Sequence, residues 1–581
     1  MHWIIRHKSD SKRSKHPDYS ALAGIALVMS LSVSAFAADT STPTPVTPDA
    51  ESGFVITMST TADHSYTAYQ VFAGDLAEDA NGNLVLSNIT WGNGVDGDDL
   101  LTALKGDTTY GSDFSACTSA ADVAEVLSGY DNDSAGLIAI SKIIENNTKG
   151  TGTTGTTKIE GLAAGYYLIV DSTDEDDMPE GQTYSDFMLK VVNDITVTAK
   201  DTTTTSEKKV QEKNDTTGST TNWQDAADYD IGDKVPFKLT GKVAGDYAKY
   251  DHYYFAFHDE ESDGLAFDAS TVKVYLGETG TTEIDDSYYT IKTTGFDDDC
   301  TFEIIFNDLK TIKDSSGTAL IGANSVIRVE YESELTEDAV IGSQGNPNVS
   351  YIEFSNNPNG TQHGKTPEDK VIVFTYKIEA LKVEPDGAGI DATAYSKLTD
   401  AEKADYVQIG TKYFKTKELE GAGFTLYKKV PTGTQGADAD GYLKIGREIT
   451  GVTTFTFNGQ DAGEYKLVET TVPTGYNKCA DIVIKVEATY DTDSADPKLK
   501  TLTVSPATAG FVVESTTTEA TADTAAVTTY SGVISGKVVN QSGAVLPSTG
   551  GIGTTIFYVV GSILVVAAGV LLITKKRMGR E

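Results

Sequence analysis

Cysteine is nearly absent: three residues, Cys117, Cys300 and Cys479, in a chain of 581. The number is odd and no two lie close in sequence, so a disulfide framework is not expected. Histidine is scarce as well, with seven residues in all. Three of them, His2, His7 and His16, fall in the first 37 positions. The chain contains no His-Glu-x-x-His, no Cys-x-x-Cys, no Gly-x-Ser-x-Gly and no phosphate-cradling glycine-rich loop. A turnover enzyme is therefore unsupported, and no cofactor and no metal is assigned. The acidic runs 174–177 and 297–299 read as solvated surface, with calcium as the alternative. Positive charge is also in short supply: 46 basic residues face 85 acidic ones, a net charge of -39. That balance excludes nucleic acid as a partner, because holding phosphates takes basic patches. It implies a soluble, self-repelling exterior.

The two ends carry the firmest patterns. Arg6, Lys8, Lys12, Arg13 and Lys15 precede an uncharged apolar run at 21–33, followed by Ala35-Phe36-Ala37. That order is a secretory signal peptide, residues 1–37, cleaved after Ala37. At the other end, Leu546-Pro547-Ser548-Thr549-Gly550 is followed by an apolar run at 556–574 and a basic tail at 575–581. The run is long enough for a transmembrane helix, and the tail would stay cytoplasmic. Motif, span and tail together resemble the cell-wall sorting signal cut by sortase transpeptidases. The resemblance implies cleavage between Thr549 and Gly550 and transfer of the Thr549 carbonyl to an amine, with Leu546 and Pro547 as recognition residues.

Between these ends, length allows three ordinary domains. Residues 38–53 form a Thr/Pro-rich leader. The remainder reads as β: alternating runs such as Phe54-Val55-Ile56-Thr57 and Tyr166-Tyr167-Leu168-Ile169-Val170 are bounded by Gly, Asn and Asp. Helical patterning is local, at 120–127 and 137–144. The expected fold class is mostly β: tandem immunoglobulin-like sandwich domains at 54–200, 206–375 and 376–540, minor helix in the first, and one C-terminal transmembrane helix.

Side chains alternate faces along a strand. In Phe374-Thr-Tyr376-Lys-Ile378-Glu-Ala380-Leu-Lys382 the apolar face ends in a lysine. Tyr465-Lys-Leu467-Val-Glu469 puts Glu469 on the face of Tyr465 and Leu467, and Val538-Val-Asn540 does the same for Asn540. A lysine, a glutamate and an asparagine thus point inward from three strands, although lysine is rarely buried unpaired. The alternative is Lys382 snorkelling out from a strand end.

These segments, with Gly421-Ala-Gly-Phe-Thr-Leu-Tyr427, the Tyr-x-Leu-x-Glu-Thr box and Pro473-Thr-Gly-Tyr476, resemble a Cna-B-type domain of pilins with internal isopeptide bonds. The resemblance implies that Lys382 and Asn540 are joined through their side chains, assisted by Glu469. Burial favours an uncharged amine, which is nucleophilic, and a protonated carboxyl, which can polarise the carboxamide. The fold supplies proximity, so the reaction runs once, unaided.

The second domain is similar to the fimbrial isopeptide-forming domain. Glu207-Lys208-Lys209-Val210, Phe257-His-Asp259, Gly345-Asn-Pro-Asn348 and Phe354-Ser-Asn356 carry the likeness. It implies a crosslink between Lys208 and Asn348 with Asp259 assisting; Lys209 and Asn356 remain as alternatives. Tyr66-Thr-Ala-Tyr-Gln-Val-Phe72 and Ala164-Gly-Tyr-Tyr-Leu-Ile169 resemble the N-terminal domain of sortase-assembled backbone pilins. In such pilins a junction lysine accepts the next subunit's Thr carbonyl. Lys200, in Thr-Ala-Lys where the family has Tyr-Pro-Lys, occupies that place. The resemblance as a whole implies a pilus shaft subunit, with a non-polymerising wall-anchored adhesin or minor pilin as the alternative. The implied partners are pilin-polymerising and wall-anchoring sortases, peptidoglycan and identical subunits head-to-tail. Minor pilins and a host surface stay open.

Overall fold

A computed structural model describes residues 44–45, 53–59, 64–79, 82–131, 134–198, 202–519 and 526–543. They fall into two compact units. One comprises Met1–Thr203, Ala244–Asp251 and Ser355–Gly364; the other comprises Thr204–Val243, His252–Phe354 and Lys365–Glu581.

The first unit is built on the long strand Tyr66–Glu78, which pairs with Gly165–Asp171 and Leu84–Trp91 in a six-stranded sheet. A three-stranded sheet sets Phe54–Met58 between Lys158–Leu162 and Ile195–Val197. Three helices, Gly97–Gly106, Ala120–Ser128 and Ala135–Glu145, belong to this unit. Their starts are chemically marked. Ser119 and Asp122 form a reciprocal capping box, and the Ser134 hydroxyl accepts from the Leu137 N–H. Their apolar faces (Leu100, Leu104, Val123, Ile140, Ile144) close over Phe72 and Leu168 of the sheet. No lysine is buried among the described residues 54–198.

The second unit contains two pairs of sheets. A five-stranded sheet (Thr205–Val210, Lys234–Lys242, Val326–Leu335, Leu265–Leu276, Thr282–Glu283) accompanies a seven-stranded one containing Phe255–Glu261, Asn346–Ser355 and Asp369–Phe374. Farther along the chain, a six-stranded sheet contains Tyr376–Ile390 and Val527–Val539, and a five-stranded sheet contains Gly423–Lys429 and Glu464–Thr471. Burial alternates along Asn346–Ser355 and along the first half of Tyr376–Ile390, as a sheet with one core face requires. The first and last strands of the final sheet pair, Tyr376–Ile390 and Val527–Val539, run parallel, with Lys382 opposite Val538. Tyr376, Ile378, Ala380, Phe424, Leu426, Tyr465, Leu467 and Ile534 form the core between these two sheets.

The architecture is thus mostly β, in paired sheets. One element of the expected fold class is corrected: the C-terminal transmembrane helix. Among the described residues no helix is long and apolar enough to cross a membrane. The longest α-helix among them, Ala135–Glu145, has 11 residues, roughly 16 Å at the helical rise against a hydrocarbon core of about 30 Å. The transmembrane helix therefore drops out of the fold class. Residues 556–574 lie outside the described residues, as do the signal peptide 1–37, Lys200, Leu546, Pro547, Thr549 and Gly550.

Candidate functional site

Three strands deliver Lys382, Glu469 and Asn540 to one point in the core of the final sheet pair, each 1 % exposed or less. Lys382 extends the apolar face of Tyr376–Ile390. Glu469 comes from Glu464–Thr471 in the facing sheet, where its cross-strand neighbour is Phe424. Asn540 follows Val527–Val539, and its N–H donates to the Val383 carbonyl at 3.0 Å, which fixes it beside Lys382. The Lys382 Nζ lies 2.6 Å from Asn540 Oδ1 and 2.9 Å from Glu469 Oε1. Asn540 Nδ2 donates to the same Glu469 Oε1 at 2.8 Å. The other carboxylate oxygen accepts from the Cys479 N–H at 2.8 Å, which locks the carboxyl in place. Phe424 lies beneath the amine, its ring centre 5.1 Å from Nζ.

In this arrangement Glu469 meets the carboxamide through its nitrogen. One oxygen touches both the attacking nitrogen and the nitrogen that would leave. It is placed to take a proton from the amine and hand it to the departing amide group. The Asn540 oxygen faces the amine, which sets the carboxamide carbon next to the nucleophile in a buried site.

In the preceding sheet pair, Lys208, Asp259 and Asn348 are each fully buried. Lys208 Nζ donates to Asp259 Oδ2 and, at 3.0 Å, to the Tyr331 hydroxyl. That hydroxyl donates to Asp259 Oδ2 at 3.0 Å and accepts from Asn348 Nδ2 at 3.0 Å. Asn348 Nδ2 also faces Glu261 Oε1 at 3.3 Å. The Asn348 and Asp259 Oδ1 atoms are buried without a hydrogen-bond partner. Burial lowers the Lys208 amine below its ordinary range and raises the Asp259 carboxyl. Burial and then Asp259 push Glu261 up to about 8. Lys209 faces away and pairs with Asp225 at 2.5 Å. Asn356 lies eight residues beyond Asn348, roughly 26 Å along an extended chain, and its carbonyl accepts from the Tyr184 N–H at 2.8 Å.

Sequence reasoning overlooked Tyr331 and Glu261. The signal for Glu261 was available, because it shares the face of Phe255, Phe257 and Asp259. Tyr331 alternates with Ile327, Val329, Ser333 and Leu335 and so looks like ordinary core. It also overlooked Lys428, 3 % exposed, whose Nζ meets Asp215, Asp230 and Asp461 at 2.6 to 2.8 Å. In the first unit the buried ionisable pair is His64 and Asp171, 2.6 Å apart.

Two family matches fall on the C-terminal half. Residues 410–498 match the SpaA prealbumin-like fold domain. Residues 538–578 match the LPXTG cell wall anchor motif. No curated protein matches the sequence. Among solved structures, the T6 backbone pilin of serotype M6 Streptococcus pyogenes is similar at 16 % identity and a TM-score of 0.44, covering 86 % of this chain and 100 % of that one. The full-length major pilin SpaD of Corynebacterium diphtheriae is similar at 16 % and 0.38, covering 73 % and 88 %. The 35 kDa C-terminal fragment of the major pilin GBS80 of Streptococcus agalactiae is similar at 21 % and 0.31, covering 48 % and 90 %. The chain carries an LPXTG cell-wall anchor, which places it at the cell surface. More particularly, residues 410–498 form a SpaA-type prealbumin-like domain upstream of that anchor.

Proposed function

We propose that this chain is the shaft subunit of a covalently polymerised pilus, hardened by spontaneous Lys–Asn isopeptide bonds. The observation that carries the hardening is the contact of Lys382, Glu469 and Asn540 inside a buried core. The Lys382 amine attacks the Asn540 carboxamide carbon. The nitrogen–carbon bond forms as the bond to Nδ2 breaks, and Glu469 transfers the proton that lets Nδ2 depart as ammonia. Lys208, Asp259 and Asn348 carry the same reaction in the preceding domain, with the Tyr331 hydroxyl linking amine and carboxamide. Burial without partnership is costly for such groups, and conversion to one neutral amide removes that cost.

Polymerisation joins Thr549 of one subunit to Lys200 of the next through a pilin sortase, and a wall-anchoring sortase transfers the last subunit to peptidoglycan. The export and anchor signals and the cell-wall anchor match support this reading. The test pairs two measurements. Intact mass of the purified protein is expected to fall short of the sequence mass by two ammonias. Wall extracts are expected to show a high-mass ladder that disappears in Lys200→Ala. A single wall-linked band in the native strain would leave the crosslinks standing and overturn the shaft role.

A further inference from the structure

On the outer face of the sheet that carries Asp259, the strands gather a second set of chemically distinctive side chains. His258, one residue before Asp259 and therefore on the opposite face, is 6 % exposed, and Cys300 is 9 % exposed. The His258 Nδ1, the Asp298 Oδ2 and the Cys300 Sγ face one another. Nδ1 to Oδ2 is 2.9 Å, Sγ to Oδ2 is 3.2 Å and Sγ to Nδ1 is 3.6 Å. Ligand atoms around a tetrahedral zinc lie roughly 3.4–3.6 Å apart, given the usual bond lengths. A small contraction or expansion of this triangle therefore accommodates the ion. The Tyr351 hydroxyl is 3.1 Å from the same Nδ1 and donates to Asp298. Glu303 Oε1 stands 4.0 Å from Nδ1.

A second, independent feature points the same way. The other ring nitrogen of His258, Nε2, is 3.2 Å from Glu353 Oε2. In the tautomer that carries its proton on Nε2, donated to this carboxylate, the Nδ1 lone pair faces the cluster. This is the outer-shell arrangement that accompanies metal-bound histidine. The ring is further held by stacking on Tyr351, with centroids 4.6 Å apart.

We propose that His258, Asp298 and Cys300 form a binding site for a borderline-soft divalent cation of the zinc type, with Tyr351, Glu303 or water completing the fourth position. The mixed nitrogen, sulfur and oxygen set selects against calcium and magnesium, which take oxygen ligands. Binding displaces the Cys300 thiol proton to solvent as the metal–sulfur bond forms. Asp298 leaves the entry side open, with its side chain 26 % exposed. The ion would tie the loop before Phe302–Phe306 to Phe255–Glu261 and Asn346–Ser355, two of the strands that hold the second crosslink.

The test titrates chelator-treated whole protein with cobalt(II), then displaces it with zinc. Tetrahedral visible bands and a thiolate charge-transfer band are expected at one cobalt per chain and should vanish with zinc. His258→Gln and Cys300→Ser should abolish the band, while Cys117→Ser and Cys479→Ser leave it. Glu353→Gln is expected to weaken affinity by about 10–100-fold. In the unmutated protein, zinc should slow alkylation of Cys300 and not of Cys479, a readout that does not depend on any variant folding. Absence of the charge-transfer band, its survival in Cys300→Ser, or alkylation indifferent to zinc would each overturn the proposal.

Discussion

Replacing Glu469 by Gln is the most searching perturbation of the crosslink chemistry. The change keeps the side chain's shape and its ability to accept from the Cys479 N–H. It removes the oxygen that can carry a proton from Lys382 to Asn540. Lys382 and Asn540 should then stay separate, so the intact mass rises by one ammonia relative to the unmutated protein. The bond closes a loop of 158 residues. Treated as a chain-entropy constraint, such a closure is worth about 5 kcal/mol at 25 °C. Spread over a domain of roughly 165 residues with an unfolding entropy near 2.1 cal/mol/K per residue, its loss lowers Tm by about 15 °C. Mass spectrometry of denatured protein reads the bond directly, and calorimetry reads its thermal consequence. A Glu469→Gln protein that still loses the ammonia would refute the proton-relay argument. One that keeps the ammonia yet melts with the unmutated protein would refute the entropic one.

Tyr331→Phe removes the hydroxyl shared by Lys208, Asp259 and Asn348; time-resolved mass spectrometry should show the second ammonia lost more slowly. Lys428→Ala leaves Asp215, Asp230 and Asp461 facing one another without their cation. A cost of about 3–5 kcal/mol is expected from the broken buried pairs, measurable as a lower denaturant midpoint. In the first unit, burial and then Asp186 raise Glu145 to about 7, and burial raises Asp186 to about 6, both carboxylates accepting from Asn359. The folded state keeps protons that the unfolded chain has released, so stability falls as pH rises through the window from roughly 4 to 7. Melting near pH 5 should therefore exceed melting near pH 8, and Glu145→Gln should flatten the difference.

Much of the candidate site's placement in the core was legible because it obeys a local rule. Lys382, Glu469 and Asn540 each continue an alternating apolar face, so strand periodicity alone aims all three at a core. The same rule favoured Lys208 over Lys209. What periodicity does not carry is which strands face each other. The shared role of Glu469 Oε1 depends on the parallel pairing of Tyr376–Ile390 with Val527–Val539 and on the facing sheet. Tyr331 escaped notice because an aromatic on a core face is the ordinary case, and only its hydroxyl's neighbours distinguish it. The Lys428 cluster joins residues more than 190 positions apart in sequence, and no short-range pattern foretells it. The run 297–299 reads from sequence as solvated surface, and nothing local links it to His258, some 40 residues away.

The parallel pairing of the first and last strands of the final domain has a mechanical corollary. Tension entering at Tyr376 and leaving past Asn540 pulls the two strands along their length in opposite senses, so their ladder of backbone bonds would have to rupture together rather than one by one. The proposed Lys382–Asn540 bond would carry the force from one strand to the other after only the short stretch from Tyr376 to Lys382. The remainder of the domain would then hang beside the load path and stay folded while the chain is stretched.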